Sequence, residues 1–369
     1  MNTTAQKVSG GSLKESARKI ALEIERQADG RPVSIMEVCG THTHEIARFG
    51  LKSLLPPGMK LISGPGCPVC VTPVGYIDHA VALARRKEVT IATFGDMVRV
   101  PGSTCSIEKA RSAGADVRIV YSVMEALMLA EAFPSKKIVF LGVGFETTAP
   151  GTAAAVLEAQ KKRLRNFFVL NAHKVMPPAL DFLLHENSCA VDGFLCPGHV
   201  STVIGARPYE FIPQKYGKAA VITGFGPLDI LNGISMLTGQ TVSGRPAVVI
   251  QYIRAVRPEG NPRALRIMNE VFDRYDTEWR GFGTIPQSGL RLKDRYAACD
   301  AAEKFQVDIE SSREKNGCIC GEILQGKKQP DECALFGAAC TPSQPVGACM
   351  VSQEGACAAY YNYCHNRNQ

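Results

Sequence analysis

Short apolar runs alternate with longer amphipathic stretches along most of the chain. Residues 33–38 (VSIMEV), 59–63 (MKLIS), 89–93 (VTIAT) and 117–121 (VRIVY) read as four strands. A second set follows at 137–142 (KIVFLG), 167–171 (FFVLN), 191–195 (VDGFL) and 219–223 (AAVIT). Helical periodicity marks 76–87, 122–133, 151–164 and 227–238, and an N-terminal helix over 11–29 with Ile20, Ala21, Leu22 and Ile24 set among charges. Such alternation predicts the α/β class, with parallel sheets covered on both faces.

Two sets of four strands suggest two similar Rossmann-like domains, at 32–133 and 134–244, with one eight-stranded sheet as the alternative. TIATFGDMVRVPGS and VFLGVGFETTAPGT echo each other: strand, glycine, acidic residue, Pro-Gly, helix. Past AVVIQYIRAV (247–256) the pattern changes. A helical run over 262–280 leads into a glycine-containing stretch and a cysteine-rich tail. This predicts a third domain over 245–369, against which the N-terminal segment 1–31 packs as a helix.

Composition sharpens the picture. The chain has 369 residues, 45% of them hydrophobic, and a formal charge of +7. Basic residues are scattered; the densest group, Lys161-Lys162-Arg163 with Arg165, ends an amphipathic run and reads as a solvated helix face, not a nucleic-acid patch. No apolar run reaches membrane-spanning length, and the N-terminus lacks a signal peptide's apolar core. The expectation is a cytoplasmic protein. Half of the 14 cysteines crowd into the tail, and in a reducing compartment that density points to metal or redox chemistry.

In open α/β sheets ligands bind at the carboxyl ends of the strands. The chemistry-bearing motifs fall there. Cys39-Gly-Thr-His42-Thr-His44-Glu45 offers a thiol, two imidazoles and a carboxylate, a donor set suited to iron, zinc or copper. The plainer reading is a buried thiol with histidines opening a helix. Cys67-Pro-Val-Cys70 has the spacing of a dithiol switch or of half a zinc site. No second C-x-x-C completes a zinc ribbon, and the H-x-E and P-C-x-x-C signatures of zinc deaminases fail.

GVGFET has Thr147 where a dinucleotide fingerprint needs its third glycine, and no Walker A lysine motif exists. Glu146, His199 and Asp96 are strand-end polar groups that can serve the cleft or merely cap helices and loops. Cys105, Cys189 and Cys299 have no partner at useful spacing and read as small apolar residues.

The tail begins C-x-C at Cys318 and Cys320. Cys333, Cys340, Cys349 and Cys357 follow after 12, 6, 8 and 7 residues, separated by Gly- and Pro-containing loops. Four thiolates from irregular loops suit a cubane iron–sulfur cluster, and structural zinc is the alternative. Six cysteines leave a surplus pair for a disulfide beside the cluster.

Together MEVCGTHTHEIARFGL, GPGCPVCVTP, GFETTAPGTA, CPGHVS and the tail motif resemble the HypD family of [NiFe]-hydrogenase maturation proteins, from about residue 12 to Tyr363. The resemblance implies two similar α/β domains and a [4Fe-4S] domain. It implies a scaffold for the Fe(CN)2CO unit of the hydrogenase site, working with a HypC-type chaperone and a HypE-type cyanide donor. It makes Cys39 the thiolate that holds this iron, with a cysteine of the HypC-type partner, and Cys67 with Cys70 a redox pair. The likeness of that cluster region to ferredoxin:thioredoxin reductase makes Cys318, Cys333, Cys340 and Cys357 the cluster ligands and Cys320 with Cys349 a redox disulfide. His42, His44, Glu146, Thr147 and His199 are then expected to hydrogen-bond the cyanides or move protons. Cys364 and His365 receive no role, and no turnover reaction is assigned. The alternative is a stand-alone iron–sulfur disulfide reductase using the same thiols; a zinc hydrolase is a third reading.

Overall fold

The computed structural model describes residues 10–185, 190–309, 312–314 and 316–364, so Cys189, His365 and the first nine residues lie outside it. Eleven strands occur in the described residues: β1 (Val33–Glu37), β2 (Met59–Ser63), β3 (Val89–Thr93), β4 (Asp116–Ile119), β5 (Lys137–Gly142), β6 (Phe167–Asn171), β7 (Gly193–Pro197), β8 (Ala219–Thr223), β9 (Val248–Ile250), β10 (Phe272–Trp279) and β11 (Gly283–Leu292). Two sheets are entirely parallel, as the apolar runs required. One has the order β2-β1-β7-β8-β9, the other β4-β3-β5-β6. Helices connect their strands, giving two Rossmann-like halves followed by a cysteine-rich region. No helix among the described residues is long and apolar enough to cross a membrane.

The strands do not sort by their place in the chain. β1 and β2 join β7 to β9, and β3 to β6 form the other sheet between them. The contiguous halves 32–133 and 134–244 expected from the pattern are therefore corrected to two interleaved sheets. Pairing depends on contacts such as Ile35 against Gly193, which local periodicity does not encode. The echoing segments belong to β3 and β5, neighbours in a single sheet.

Two further expectations change. β9 adds an edge strand to the first sheet, so the region beyond 245 is not separate from it. The N-terminal helix, Gly10–Ala28, packs on the helix Pro227–Ser243 rather than on the cysteine-rich region. Ile24 is fully buried there in a cluster with Leu231, Ile234 and Leu237, and Ser235 donates to the Gln27 side chain at 3.3 Å.

The helix expected over 262–280 stops at Val271. Asn261 caps it, accepting from the amides of Arg263 and Ala264 at 3.1 and 3.2 Å. The chain then turns into β10, which pairs antiparallel with β11. Phe272, Tyr275, Thr277 and Trp279 suit a strand, and Trp279 is fully buried against Phe145 with ring centroids 5.8 Å apart. This hairpin carries its tip, Arg280-Gly281-Phe282, into the space between the sheets' loops and the tail.

Candidate functional site

Counted within its own sheet, the first set of strands runs in the order 2-1-3-4-5 and the second 2-1-3-4, each with the topological switch between its first and third members. For the first sheet that is β1 and β7, and their carboxyl ends carry Cys39 and Pro197-Gly198-His199. A crevice between such loops is where this topology binds ligands.

Cys39 lies two residues past the end of β1 and precedes the helix Gly40–Arg48. The GPGCPVC loop lies directly on it. The Gly40 amide donates to the Gly66 carbonyl at 3.0 Å, and a Cβ at Gly66 would stand 2.2 Å from the Cys39 nitrogen. Only glycine permits that approach. Cys67 and Cys70 are joined as a disulfide with Cα atoms 5.3 Å apart, and both are buried. The Cys39 thiol is free and buried. Burial pushes it up to about 12, and the Glu354 carboxylate adds to the rise.

His42 is fully buried, and desolvation lowers it to about 4, so its ring is neutral. Its Nε2 lies 3.0 Å from both the Gly224 carbonyl and the Thr223 hydroxyl. Donation to the carbonyl leaves Nδ1 as a lone-pair acceptor with no partner among the described residues. Phe225 stands beside His42 at 5.0 Å and stacks on His199 at 3.8 Å. Burial also lowers His199, opposed by Glu354.

Not every expected residue joins this crevice. His44 faces the tail: its Nδ1 lies 3.3 Å from the Gln353 carbonyl, its Nε2 3.4 Å from the Tyr363 hydroxyl, and its ring meets Tyr363 edge-on. It anchors the last helix. Thr147 is exposed. Glu146 lies in the loop after β5 and is buried; it accepts from the Met176 amide at 2.9 Å, its second oxygen is unpartnered, and burial raises it to about 7. Tyr209 is fully buried, and its hydroxyl oxygen accepts from the Ser201 hydroxyl at 3.3 Å. Cys299 is buried in the apolar cluster, as expected of an ordinary small residue, while Cys105 is half-buried. Asp96 accepts from the Ser352 hydroxyl at 2.7 Å.

All six tail cysteines from Cys318 to Cys357 line one small recess, with apolar walls including Leu335 and Met350. Cys320 is near enough to Cys318 and Cys349, and Cys349 to Cys357, for each thiol to perturb the next. The Val346 amide donates to the Cys340 sulfur at 3.4 Å. Among the described residues no three His, Cys, Asp or Glu groups close on a single ion. Six soft donors around one volume, with an amide aimed at a sulfur, fit an iron–sulfur cluster. A buried cation nearby fits an anionic group too: Arg280 is 5% exposed, its Nε and Nη2 lack a hydrogen-bond partner among the described residues, and Nε pairs with the Glu314 carboxylate at 3.4 Å.

Glu354 was not singled out in the sequence. It is the sole acidic residue between Cys340 and Cys357, which is the signal that marked it. It accepts from the Thr41 hydroxyl at 2.7 Å, and a Cβ at Gly40 would meet its Cβ at 2.5 Å. Ser352 and Glu354 thus dock the tail on the loops of both sheets. Arg280 was missed because its segment read as helix.

The fold and site define a two-sheet α/β protein with a thiol crevice next to a cysteine-lined recess. Residues 15–364 match the HypD model, described as the hydrogenase formation hypA family. The chain is 47% identical over 358 residues to the hydrogenase maturation factor HypD of Rhodobacter capsulatus, covering 94% of this chain and 95% of that protein. It is 44% identical over 358 residues to HypD of Cupriavidus necator, covering 95% and 94%. Against a putative hydrogenase expression/formation protein of Methanocaldococcus jannaschii it is 47% identical over 333 residues, covering 90% and 92%. The chain belongs to the HypD family of hydrogenase maturation factors.

Proposed function

We propose that this chain is the scaffold and redox protein on which the Fe(CN)2CO unit of [NiFe]-hydrogenases is assembled, in complex with a HypC-type chaperone and served by a HypE-type cyanide donor. One observation carries the reading: Cys39 lies at a topological switch point against the Cys67–Cys70 loop, with Glu354 of the cysteine-rich tail docked beside it. A lone thiol, a dithiol pair and a cluster-type recess meet in one place.

In this reading Cys39 is one thiolate to the substrate iron, and a cysteine of the chaperone is the other. Few protein donors leave positions open for the diatomic ligands. The unpartnered Nδ1 of His42 is left free to accept a hydrogen bond from a bound group, and Phe225 holds the rings of His42 and His199. Apolar packing around Cys67 and Cys70 keeps water from the site. In the tail, Cys318, Cys333, Cys340 and Cys357 would hold a [4Fe-4S] cluster, which supplies one-electron chemistry when bound. Cys320 and Cys349, whose thiols perturb one another, would form the second redox pair. The protein works in the cytoplasm, where the reducing milieu suits these thiols.

Infrared spectroscopy of the chaperone complex, prepared anaerobically, tests this. The native chain should show bands of iron-bound cyanide and carbon monoxide, and Cys39→Ala should lose them while keeping its visible chromophore. Native bands in Cys39→Ala would refute the assignment. A native chain that reduces protein disulfides yet retains no such iron would favour a stand-alone reductase.

A further inference from the structure

Arg99 is a cation that the scheme above does not use. It follows the short helix Gly95–Val98 at the carboxyl end of β3. Met97, Val98 and Val100 are buried, which fixes the backbone there. Asp96 and Arg99, three residues apart, share the exposed side. Both reach the tail. Arg99 donates from Nη1 to the Pro342 carbonyl at 3.1 Å and from Nη2 to the Val351 carbonyl at 3.3 Å, so one guanidinium bridges the two ends of the segment that carries Cys349. Two carbonyls at once need the planar fork of an arginine; a lysine ammonium is a point donor.

Val351 to Glu354 thus form a strap between the two sheets. The second sheet grips its start, through Arg99 and Asp96. The first sheet grips its end, where His44 meets the Gln353 carbonyl and Thr41 donates to the Glu354 carboxylate. Two hydrogen bonds run from one grip to the other: the Ser352 hydroxyl donates to Asp96 at 2.7 Å and accepts from the Glu354 amide at 3.3 Å. Behind them the Gly355 amide donates to the Ser352 carbonyl at 2.9 Å, and a Cβ at Gly355 would stand 2.1 Å from the Cys349 carbonyl oxygen. Ser352 and Glu354 are tied together, so whatever holds Ser352 also sets where Glu354 lies.

We infer that Asp96 and Arg99 are positioning residues of the iron crevice: from the second sheet they hold the Val351–Glu354 strap, and through it the Glu354 carboxylate, against the Cys39 loop of the first. The inference rests on the reading of Cys39 as the iron thiolate. It gives the FGDMVR segment a task that neither its exposure nor its place in the second sheet explains.

The test uses the full chain in its chaperone complex, purified anaerobically with iron and sulfide intact. Amide hydrogen exchange reads the strap, and infrared bands with metal analysis read the retained iron. Arg99→Met and, independently, Asp96→Ala should each speed exchange at the Glu354 and Gly355 amides and lower iron retention roughly tenfold, about the worth of one charge-assisted hydrogen bond. Arg99→Lys should restore little. Asp96→Asn, whose amide oxygen still accepts from Ser352, should restore most. The visible chromophore of the tail should persist throughout; its loss in both Arg99→Met and Asp96→Ala would assign the effect to folding of the tail and overturn the inference. Glu354→Ala should lower iron retention to a similar extent, and adding Arg99→Met to it should change retention by no more than about twofold. A further loss of about tenfold in that double variant would show that Arg99 acts other than through Glu354 and overturns its role. Native exchange in Arg99→Met and Asp96→Ala overturns the clamp. Iron bands lost in Cys39→Ala but native in Arg99→Met refute Arg99 alone, whereas bands surviving in Cys39→Ala refute the reading of that thiol and take the positioning role with it.

Discussion

The Glu354 carboxylate accepts a hydrogen bond from the Thr41 hydroxyl at 2.7 Å, across 313 positions of sequence. It fixes the tail beside Cys39, whose thiol its charge helps to hold up. Glu354→Gln keeps the shape and removes the charge. Cys39 in that variant should react with a small thiol reagent at lower pH than in the native chain. Thr41→Val retains the charge and should leave the profile nearer to native. Superimposable pH profiles for native and Glu354→Gln would show that the carboxylate does not govern this thiol.

The recess needs its thiols. Cys333→Ala or Cys340→Ala removes a donor that water replaces poorly. Anaerobically purified variants should lose most of the absorption near 400 nm and most of their iron and sulfide. Full iron and sulfide in either would exclude that residue as a ligand.

Gly66 is the hinge of the thiol crevice. Alanine there would place a Cβ 2.2 Å from the Cys39 backbone nitrogen, so one loop must move. Gly66→Ala should separate Cys39 from the Cys67–Cys70 loop and lower iron retention in the chaperone complex at least tenfold. The recess is untouched, so the visible spectrum should persist. Native iron retention would show that the contact does not matter for the site.

Glu146 gives a pH signature. Burial raises its folded value to about 7, above the unfolded value near 4.5, so the native state holds the proton over that interval. Its contribution is present below the unfolded value and is lost as pH rises through about 7. Glu146→Gln should therefore stabilise the protein at pH 8 by up to about 3 kcal/mol, with a much smaller effect at pH 4. Thermal melts at the two pH values decide it; equal shifts at both would place the effect in packing.

His42 has the opposite sign. Its folded value near 4 lies below the unfolded one, so stability falls as pH drops from about 6.5 towards 4. His42→Gln should flatten that acid slope in urea titrations, by on the order of 3 kcal/mol between the two ends. An unchanged slope would mean that the ring is solvated.

Much was legible along the chain because it is local. Eight of the strands were marked by apolar runs, since a parallel strand must bury both faces. Cys67 with Cys70, and the run from Cys318 to Cys357, carry their chemistry in their spacing, and Cys39 stands where a strand must end. Partnership was decided by the tertiary structure. β1 pairs with β7 across more than 150 residues, so the sheets interleave where the linear pattern implied halves. The segment 272–279 is a strand because β11 returns to pair with it, and that placed Arg280 against the Cys67–Cys70 loop. His42 and His44 sit two residues apart, yet the helix turns one into the crevice and the other onto Tyr363. Local patterns specify which residues must be buried or reactive. Which of them meet is set by long-range packing, because loop closure between distant segments is favourable only when the whole core assembles.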